Sequence, residues 1–500
     1  MSDKKREIII VVVLIIAVAM AILPNYLNNL DEIWNFNFAK NMADGLLPYK
    51  DFNIIQGPLV PAVCSAFLVL FGTEIIVMRV LAILLGVSIL FMVYKVMNLL
   101  NVQKIVTYLF MTMIYGLFFN DFRVDYNLAT LLLVLIVLYY EIRKIKTGHG
   151  IVEYNFKSDF FLGVIIGTTI LFKQTTGLFI LAIFVLYKLL AIAGKEDVKK
   201  VFKIVLTRSL GALIPILAFV TYLTINNIWE DFLSYSIYGI TTFSNHVPYI
   251  YLIREGNLFI KLLSILVPAS IIYMCIKSIR SKNRSEQDQL FFIMLFYSVA
   301  TFIFIYPIAD QVHFAIGSIP SIIAIAYILA GLLNRIKERK LTNILKRSME
   351  FVTYVVLFSI VIQGTIVSYE HFSNFKNTSN LSHYKYIRIN DEGITKITDY
   401  ILEQENEGKK VYILDASAAI YMIPINRYNK DYDMFLKGNL GSGGEQGQIE
   451  KLNKEDNAVL LIMREESNRN WQTPTEVIEY VTINWEKIGE IEHFDIYERK

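Results

Sequence analysis

The sequence predicts an α-helical polytopic membrane protein, with about eleven transmembrane helices and a small soluble α/β C-terminal domain. Hydrophobic residues make up 55% of the chain, and the mean hydropathy is +0.46. Long apolar runs are confined to residues 1–369. Residues 376–500 instead hold 22 of the 45 acidic residues and 16 of the 48 Lys and Arg residues. This distribution argues against a soluble enzyme, a disordered chain and a nucleic-acid-binding protein.

The spans follow from the lengths of the apolar runs, because a bilayer core requires about 20 apolar residues per helix and about 17 suffice. The eleven predicted spans lie near residues 8–24, 79–97, 104–119, 127–142, 159–172, 174–191, 204–225, 258–276, 290–306, 314–333 and 349–368. No small-x-small cleavage site follows Ala21. The first run is therefore interpreted as a retained anchor rather than a signal peptide.

The Lys and Arg residues between the spans predict the orientation. With the N-terminus in the cytoplasm, the inner segments hold 25 of these residues and the outer loops hold seven, as the positive-inside rule requires. An odd number of spans then places the tail outside. The predicted domains are a transmembrane domain over 1–369, a linker over 370–390 and an extracytoplasmic domain over 391–500.

The predicted first outer loop, residues 25–78, carries the first candidate chemistry. Its apolar run from Pro58 to Phe71 is too short for a span and predicts a re-entrant or interfacial helix. Asp31 and Glu32 directly follow the first span. A carboxylate at the membrane face can deprotonate an incoming hydroxyl or amine, but acids in a first helical turn also stabilise the helix. Residue chemistry alone leaves both interpretations open.

This loop resembles the first extracytoplasmic loop of the GT-C glycosyltransferases, especially the bacterial branch related to protein O-mannosyltransferases and lipid A aminoarabinose transferases. The matching positions are, in order, Asp31-Glu32, Ala39, Asn41, Gly45, Pro48-Tyr49, Asp51-Phe52 and Pro58-Leu59. The resemblance implies an enzyme of the bacterial cytoplasmic (plasma) membrane. It would take a sugar from a polyprenyl-phosphate donor and transfer it, usually with inversion, to a glycan, lipid or protein on the outer face.

The resemblance implies a role for several residues of the loop. Asp31 would be the general base and Glu32 its partner, while Trp34, Tyr49 and Gln56 are candidate substrate-binding residues. Two positions depart from the aminoarabinose transferases, which have Arg near Trp34 and Lys near Gln56 where they contact the lipid phosphate. Aminoarabinose transfer to lipid A is therefore not expected, and the phosphate contacts must come from other loops.

A second acidic group lies in the short outer loop before the fourth span. Asp125 is the predicted second catalytic acid, because it stands nearest the membrane, and Asp121 and Arg123 are candidate substrate-binding residues. The alternative is a solvated turn with a local Arg–Asp pair, which contributes little energy.

Two basic residues are candidates for the donor phosphate. Lys173 interrupts an apolar hairpin in a Lys-Gln-x-x-Gly pattern that resembles one in GT-C relatives, and a single charge can hold a phosphate. A Lys in such a place is usually functional but can also snorkel to the interface. His313 precedes the helix that contains Pro320. The resemblance implies a basic or aromatic residue there, near the donor phosphate, and the alternative is an ordinary interfacial His. No cofactor is indicated, and a metal requirement is left open.

The tail predicts a small α/β domain. Its predicted elements are a helix near 393–406, a strand over Lys410–Leu414, a helix through Met422 capped by Asp415 and Ser417, a strand over Ala458–Met463, a helix after Pro474, and strands over Ile488–Ile491 and Phe494–Tyr497. The Gly-rich stretch 438–447 is interpreted as a flexible loop. It is not a dinucleotide motif, because no strand leads into it and Gln446 stands where the last Gly is required.

The sequence leaves two other membrane functions as alternatives. A transporter or flippase for lipid-linked sugars would favour charged or Gly/Pro-broken helices near the bilayer centre, whereas most ionisable residues here fall at predicted span ends. A surface-polysaccharide ligase or polymerase would carry its large outer loop late in the chain, whereas here the large loop comes first. The sequence therefore favours a glycosyltransferase for a hexose or pentose.

Overall fold

A computed structural model describes residues 3–23, 29–148, 150–193, 197–242, 246–280, 285–336, 339–375, 391–465 and 472–499. Most of the predicted linker, 376–390, lies outside these ranges. The chain divides into two compact units, each built from three segments. Unit 1 comprises Met1–Asn25, Arg79–Phe219 and His246–Asn374, and unit 2 comprises Tyr26–Met78, Val220–Asn245 and Phe375–Lys500. The predicted domain boundaries remain predictions.

Helices account for almost all of the described chain before the tail. They are α1 (Asp3–Ile22), α2 (Leu30–Ala43), α3 (Leu59–Phe71), α4 (Ile75–Leu99), α5 (Lys104–Leu117), α6 (Tyr126–Lys146), α7 (Phe156–Phe172), α8 (Gln174–Ala193), α9 (Val198–Ile225), α10 (Trp229–Phe232), α11 (Ile250–Glu255), α12 (Leu258–Arg280), α13 (Glu286–Phe302), α14 (Gln311–Arg335) and α15 (Arg339–Phe375). Each predicted span coincides with one of these helices, and α3 is the predicted short helix of the first outer loop.

Six helices among the described residues are long and apolar enough to cross a membrane, namely α4, α9, α12, α13, α14 and α15. Three shorter helices, α3, α5 and α8, are also apolar. Many large apolar side chains on these helices are exposed, such as Leu217 at 56% and Phe358 at 68%, as expected for surfaces that face lipid. The chain is thus a multi-pass membrane protein, and the number eleven remains a prediction.

Glycines bring α7 and α9 into close contact in unit 1. A Cβ atom at Gly163 would lie 2.2 Å from the carbonyl oxygen of Arg208, and one at Gly211 would lie 2.2 Å from the carbonyl oxygen of Phe160. Small residues let helix backbones approach in a membrane, where packing rather than water drives association. Any larger side chain at these positions would force the two helices apart.

A buried ionic cluster lies beside this contact. Arg208 is completely buried and bonds Glu141 of α6 and Asp159 of α7, with 2.8 Å from its Nη2 to the Asp159 carboxylate. Lys144 also reaches Asp159 at 2.7 Å, and Lys188 lies 3.8 Å from Glu141. Buried charges persist only when paired in this way, so the cluster ties α6, α7, α8 and α9 together.

The tail in unit 2 forms the predicted α/β domain. Its elements are α16 (Asp391–Asn406), β1 (Lys410–Ile413), α17 (Ala418–Met422), α18 (Gly444–Leu452), β2 (Ala458–Met463), α19 (Thr475–Asn484), β3 (Trp485–Ile491) and β4 (Phe494–Arg499). The strand order is β1-β2-β4-β3, with β1 and β2 parallel and the other neighbours antiparallel. β2 and β4 are the two inner strands, and every residue of β2 is buried.

Two features of unit 2 differ from the expectation or were missed. The Gly-rich stretch is not a flexible loop throughout, because α18 begins at Gly444 and buries Ile449 and Leu452 against the tail core. Burial of these two side chains stabilises the helix, since Gly residues contribute little helix stability of their own. The chain after α10 continues as a π-helix over Leu233–Tyr238 and a 3₁₀ turn over Gly239–Thr242, and no apolar period in the sequence indicated either.

Candidate active site

The acidic pair of the first outer loop stands in the first turn of α2. Asn29 is the N-cap of this helix, and its side chain accepts hydrogen bonds from the backbone N–H of Asp31 at 2.9 Å and of Glu32 at 3.4 Å. Both acidic side chains are half-buried. The capping role considered for the pair is therefore filled by Asn29, although first-turn acids still favour the helix.

The other predicted residues of this loop are Trp34, Tyr49 and Gln56, and hydrogen bonds within unit 2 fix their positions. The Trp34 indole is buried and donates from Nε1 to the carbonyl of Ala416 in the tail at 2.8 Å. Tyr49 is fully buried, has a positive φ of 70°, and donates from its hydroxyl to the Gln56 carbonyl at 3.0 Å. Asp31, Glu32, Trp34, Tyr49 and Gln56 all lie in unit 2, where a hydrogen bond joins Tyr49 to Gln56 and another joins Trp34 to the tail.

The acidic turn before α6 is buried rather than solvated. Arg123 is 8% exposed and lies 3.3 Å from the Asp121 carboxylate, and Asp125 is 2% exposed. Asp125 is the N-cap of α6 and accepts hydrogen bonds from the backbone N–H groups of Asn127 and Leu128. The local Arg–Asp pair is present, with the Arg123 side chain largely buried and the Asp121 side chain partly exposed.

Lys173 joins this turn. It is an extended residue between α7 and α8, and its Nζ donates to the Asn127 side-chain oxygen at 2.7 Å. The same nitrogen lies over the rings of Tyr126 at 5.5 Å and Phe304 at 5.2 Å, and it interacts electrostatically with Asp125. The ammonium is therefore held inside unit 1. Sequence reasoning missed Asn127 and Tyr126, because neither stands out from an ordinary helix start.

His313 belongs to a cap at the start of α14. Asp310 is the N-cap and accepts hydrogen bonds from the His313 backbone N–H at 2.8 Å, while the His313 Nδ1 lies 2.9 Å from the same oxygen. Burial acts to raise the pKa of Asp310, but the His313 side chain and backbone outweigh it and hold that pKa below its ordinary value. The predicted His is thus oriented by an acid three residues before it.

The predicted residues therefore fall into two groups, one in each unit. In unit 1 contacts join Asp121 to Arg123, and Asn127 links Asp125 to Lys173, while His313 pairs with Asp310. No group of three or more His, Cys, Asp or Glu side chains in the described ranges is arranged to hold a metal ion.

Comparison with known proteins gives a family match over part of the chain and a fold match over nearly all of it. Residues 56–229 match the family model described as dolichyl-phosphate-mannose-protein mannosyltransferase. No curated protein sequence matches the chain.

Three solved structures share the fold. ArnT from Cupriavidus metallidurans bound to undecaprenyl phosphate is 12% identical, with a TM-score of 0.55 over 99% of this chain and 98% of that one. Its apo state is 11% identical, with a TM-score of 0.56 and the same coverage. The archaeal oligosaccharyltransferase AglB from Archaeoglobus fulgidus, in complex with an inhibitory peptide and a dolichol-phosphate, is 11% identical, with a TM-score of 0.54 over 92% of this chain and 70% of that one. The chain therefore has the fold of the GT-C membrane glycosyltransferases, which confirms the resemblance seen in its first outer loop.

Proposed function

We propose that the chain is a membrane glycosyltransferase that moves a hexose or pentose from a polyprenyl-phosphate donor to a glycan, lipid or protein acceptor. The observation that carries the proposal is the shared fold, over 99% of the chain, with a protein that was solved with undecaprenyl phosphate bound. The partial match to a family that uses dolichyl-phosphate-mannose supports the same class of donor. The lipid bilayer is then both the surroundings of the enzyme and the source of its donor.

In the proposed reaction Asp31 is the general base. The acceptor oxygen or nitrogen attacks the anomeric carbon, the bond from that carbon to the phosphate oxygen breaks, and the Asp31 carboxylate takes the acceptor proton. The polyprenyl phosphate leaves with the electron pair of the broken bond. Glu32, one residue further along the first turn of α2, would orient the acceptor or tune Asp31. The N-cap at Asn29 supports this assignment, since it fills the structural role that competed with catalysis.

The donor phosphate is assigned to Lys173. Its hydrogen bond to Asn127 and its place between the Tyr126 and Phe304 rings hold the ammonium in a partly dry site, where a charge contact to phosphate is stronger than in water. Arg123 and His313 are additional candidates for substrate contacts, and Asp121 is a candidate beside Arg123. Asp125 would act as a second acid or, through Asn127, position Lys173.

The proposed topology has eleven spans, a cytoplasmic N-terminus and the domain 391–500 on the outer face of a bacterial cytoplasmic membrane. The excess of Lys and Arg in the predicted inner segments supports it. Chemistry at the outer face follows from this orientation, because Asp31 comes directly after the first span.

The test of the function is transfer by the purified full-length chain in lipid nanodiscs. A panel of radiolabelled polyprenyl-phosphate sugars is incubated with extracts of cell-envelope glycans, lipids and proteins. We expect the chain to release polyprenyl phosphate and to place label in one acceptor fraction. Label that crosses the bilayer of reconstituted vesicles without any transfer would contradict the proposal and favour a flippase.

A further inference from the structure

Unit 2 contains a cavity of about 550 Å³ that the proposed catalytic residues do not line. One wall comes from residues 230–238, which include the π-helix, and the other from residues 430–451 of the tail, which include the Gly-rich stretch. The volume falls within the range of small-molecule sites, about 300–1,000 Å³. A π-helical turn is rare and is often found at functional sites.

Close backbone contact joins the two walls. The Ser442 backbone N–H donates to the Ser234 hydroxyl at 3.0 Å, and the two serine hydroxyls lie 3.1 Å apart. Gly441 has a φ of +72°, and a Cβ atom there would lie 3.0 Å from the Ser234 Oγ and 3.3 Å from the Tyr235 ring. Glycine is therefore required at residue 441, where the walls meet. The Gly-rich stretch thus has a structural role, close contact with the opposite wall, that its sequence did not indicate.

Two Lys and three acidic side chains line the cavity, and both Lys side chains are paired, whereas Glu230 is exposed. Lys430 lies 3.1 Å from the Asp231 carboxylate, and Lys451 lies 3.0 Å from the Asp431 carboxylate. The Tyr235 hydroxyl also donates to Asp431 and accepts from Lys451 at 3.2 Å. An anionic ligand would have to displace a carboxylate from its Lys partner and would also face the Glu230 carboxylate. A neutral ligand rich in hydroxyl groups can instead both donate and accept along these pairs.

An aromatic face completes the lining. Tyr238 is 55% exposed and lies in the cavity wall. The C–H face of a sugar ring can pack on such a ring while the hydroxyl groups bond to the surrounding polar side chains. We infer that this cavity binds a neutral oligosaccharide. If the proposed function holds, that oligosaccharide is part of the acceptor; the binding itself does not depend on it.

The test is binding of the fluorescently labelled full-length chain, in detergent, to an array of neutral and acidic oligosaccharides. No lipid donor is present, so the result is separate from transferase activity. We expect wild type to bind neutral glycans, and Tyr238→Ala to weaken this binding about tenfold or more through loss of the ring. Tyr238→Phe keeps the ring and should retain most of the binding.

Tyr428→Ala is the matched control, since Tyr428 is a similarly exposed tyrosine of unit 2, at 45%, that does not line the cavity. It should bind as wild type. Three results would overturn the inference: no neutral glycan is bound, only acidic glycans are bound, or Tyr238→Ala binds as well as Tyr428→Ala. Thermal melting of each variant shows that a loss of binding is not a loss of folding.

Discussion

The side-chain amide of Asn37 in α2 donates a hydrogen bond of 3.2 Å to the carboxylate of Asp433 in the tail. The Asn429 backbone N–H donates to the other carboxylate oxygen at 2.9 Å, and Asp433 is buried. Burial raises the pKa of Asp433 to about 7, against the opposing effect of the hydrogen bonds from Asn429 and Asn37. The contact between the first outer loop and the tail thus includes a carboxyl group that titrates near neutral pH.

The stability of unit 2 is therefore expected to fall as the pH rises from about 4 to 7. The folded state keeps a proton on Asp433 that the unfolded state, with a pKa near 3.8, releases in this range. Asp433→Asn should remove this pH dependence of the stability. It should also raise the melting temperature at pH 8, as measured by differential scanning fluorimetry. Asp399→Asn, at an exposed acid of α16, should keep the wild-type pH dependence. If the melting temperature changes with pH equally in wild type and in Asp433→Asn, Asp433 is not the group that causes the pH dependence.

Asp31→Asn should fold, insert and bind the donor but transfer sugar very slowly. An amide is almost the same size as the carboxyl group but has no useful basicity, and loss of a general base commonly costs about 10²–10⁴ in rate. The measurement is kcat for transfer by the purified variant. Asp44→Asn is the control, because Asp44 is an exposed acid of the same loop that pairs with Lys40 at 2.6 Å. If Asp31→Asn transfers sugar at the wild-type rate, the general base is another residue, and Asp125 is the next candidate.

Lys173→Ala should weaken use of the donor more than use of the acceptor. A hydrogen bond to a charged group contributes about 1.5–3 kcal/mol, so we expect the donor KM to rise about tenfold to a hundredfold. Lys277→Ala is the matched control, because Lys277 is exposed on α12 and lies over only one ring, that of Tyr273. An unchanged donor KM with reduced thermal stability would mean that Lys173 serves only the structure of unit 1.

Arg208→Met should be strongly destabilising. The substitution leaves the buried carboxylates of Glu141 and Asp159 without their shared cation, and breaking a buried pair costs about 3–5 kcal/mol. Arg427→Met removes an exposed pair with Glu405 at 2.9 Å and should cost less than about 1 kcal/mol. Size-exclusion chromatography with fluorescence detection after heating compares the two variants. Similar melting temperatures would show that Lys144 and Lys188 neutralise the cluster without Arg208.

A reporter fused to the C-terminus tests the proposed topology. Alkaline phosphatase should be active there and a fluorescent protein dark, because the Lys and Arg bias places the tail outside. The reverse pattern in a stably expressed fusion would refute the eleven-span arrangement. A fusion after Lys146, at the predicted inner end of α6, provides the opposite control.

Local signals were sufficient to predict most of the helices and strands. The predicted spans coincide with α1, α4 to α9 and α12 to α15, and the short apolar run coincides with α3, whereas no apolar run predicted α2, α10 or α11. In the tail, the alternation of helix and strand patterns predicts the sheet, because each pattern reflects burial of one face of one element. The loop motif headed by Asp31 also indicated the correct fold. For this prediction a local order of residues was enough.

The sequence did not reveal contacts between residues that are far apart in the chain. Arg208 and Glu141 looked like charges at span ends, and nothing in the period of α6 or α9 indicates that they meet. Asn127 became a candidate only when Lys173 was seen to bond it. The Gly-rich stretch looked flexible because its own residues lack packing groups. It is ordered because it leads into α18, which packs Ile449 and Leu452 against the tail core, and because the Ser442 backbone N–H bonds the Ser234 hydroxyl. Such partners are set by tertiary packing.

The construction of unit 2 from three distant segments has a consequence for how the chain matures. Trp34 and Asn37 meet Ala416 and Asp433 across separations of 382 and 396 residues. At about 5–20 residues per second, a ribosome needs roughly 20 to 80 seconds to make the chain in between. During that time the polar groups of α2 lack these partners. Unit 2 therefore cannot complete its fold until nearly the whole chain has been made.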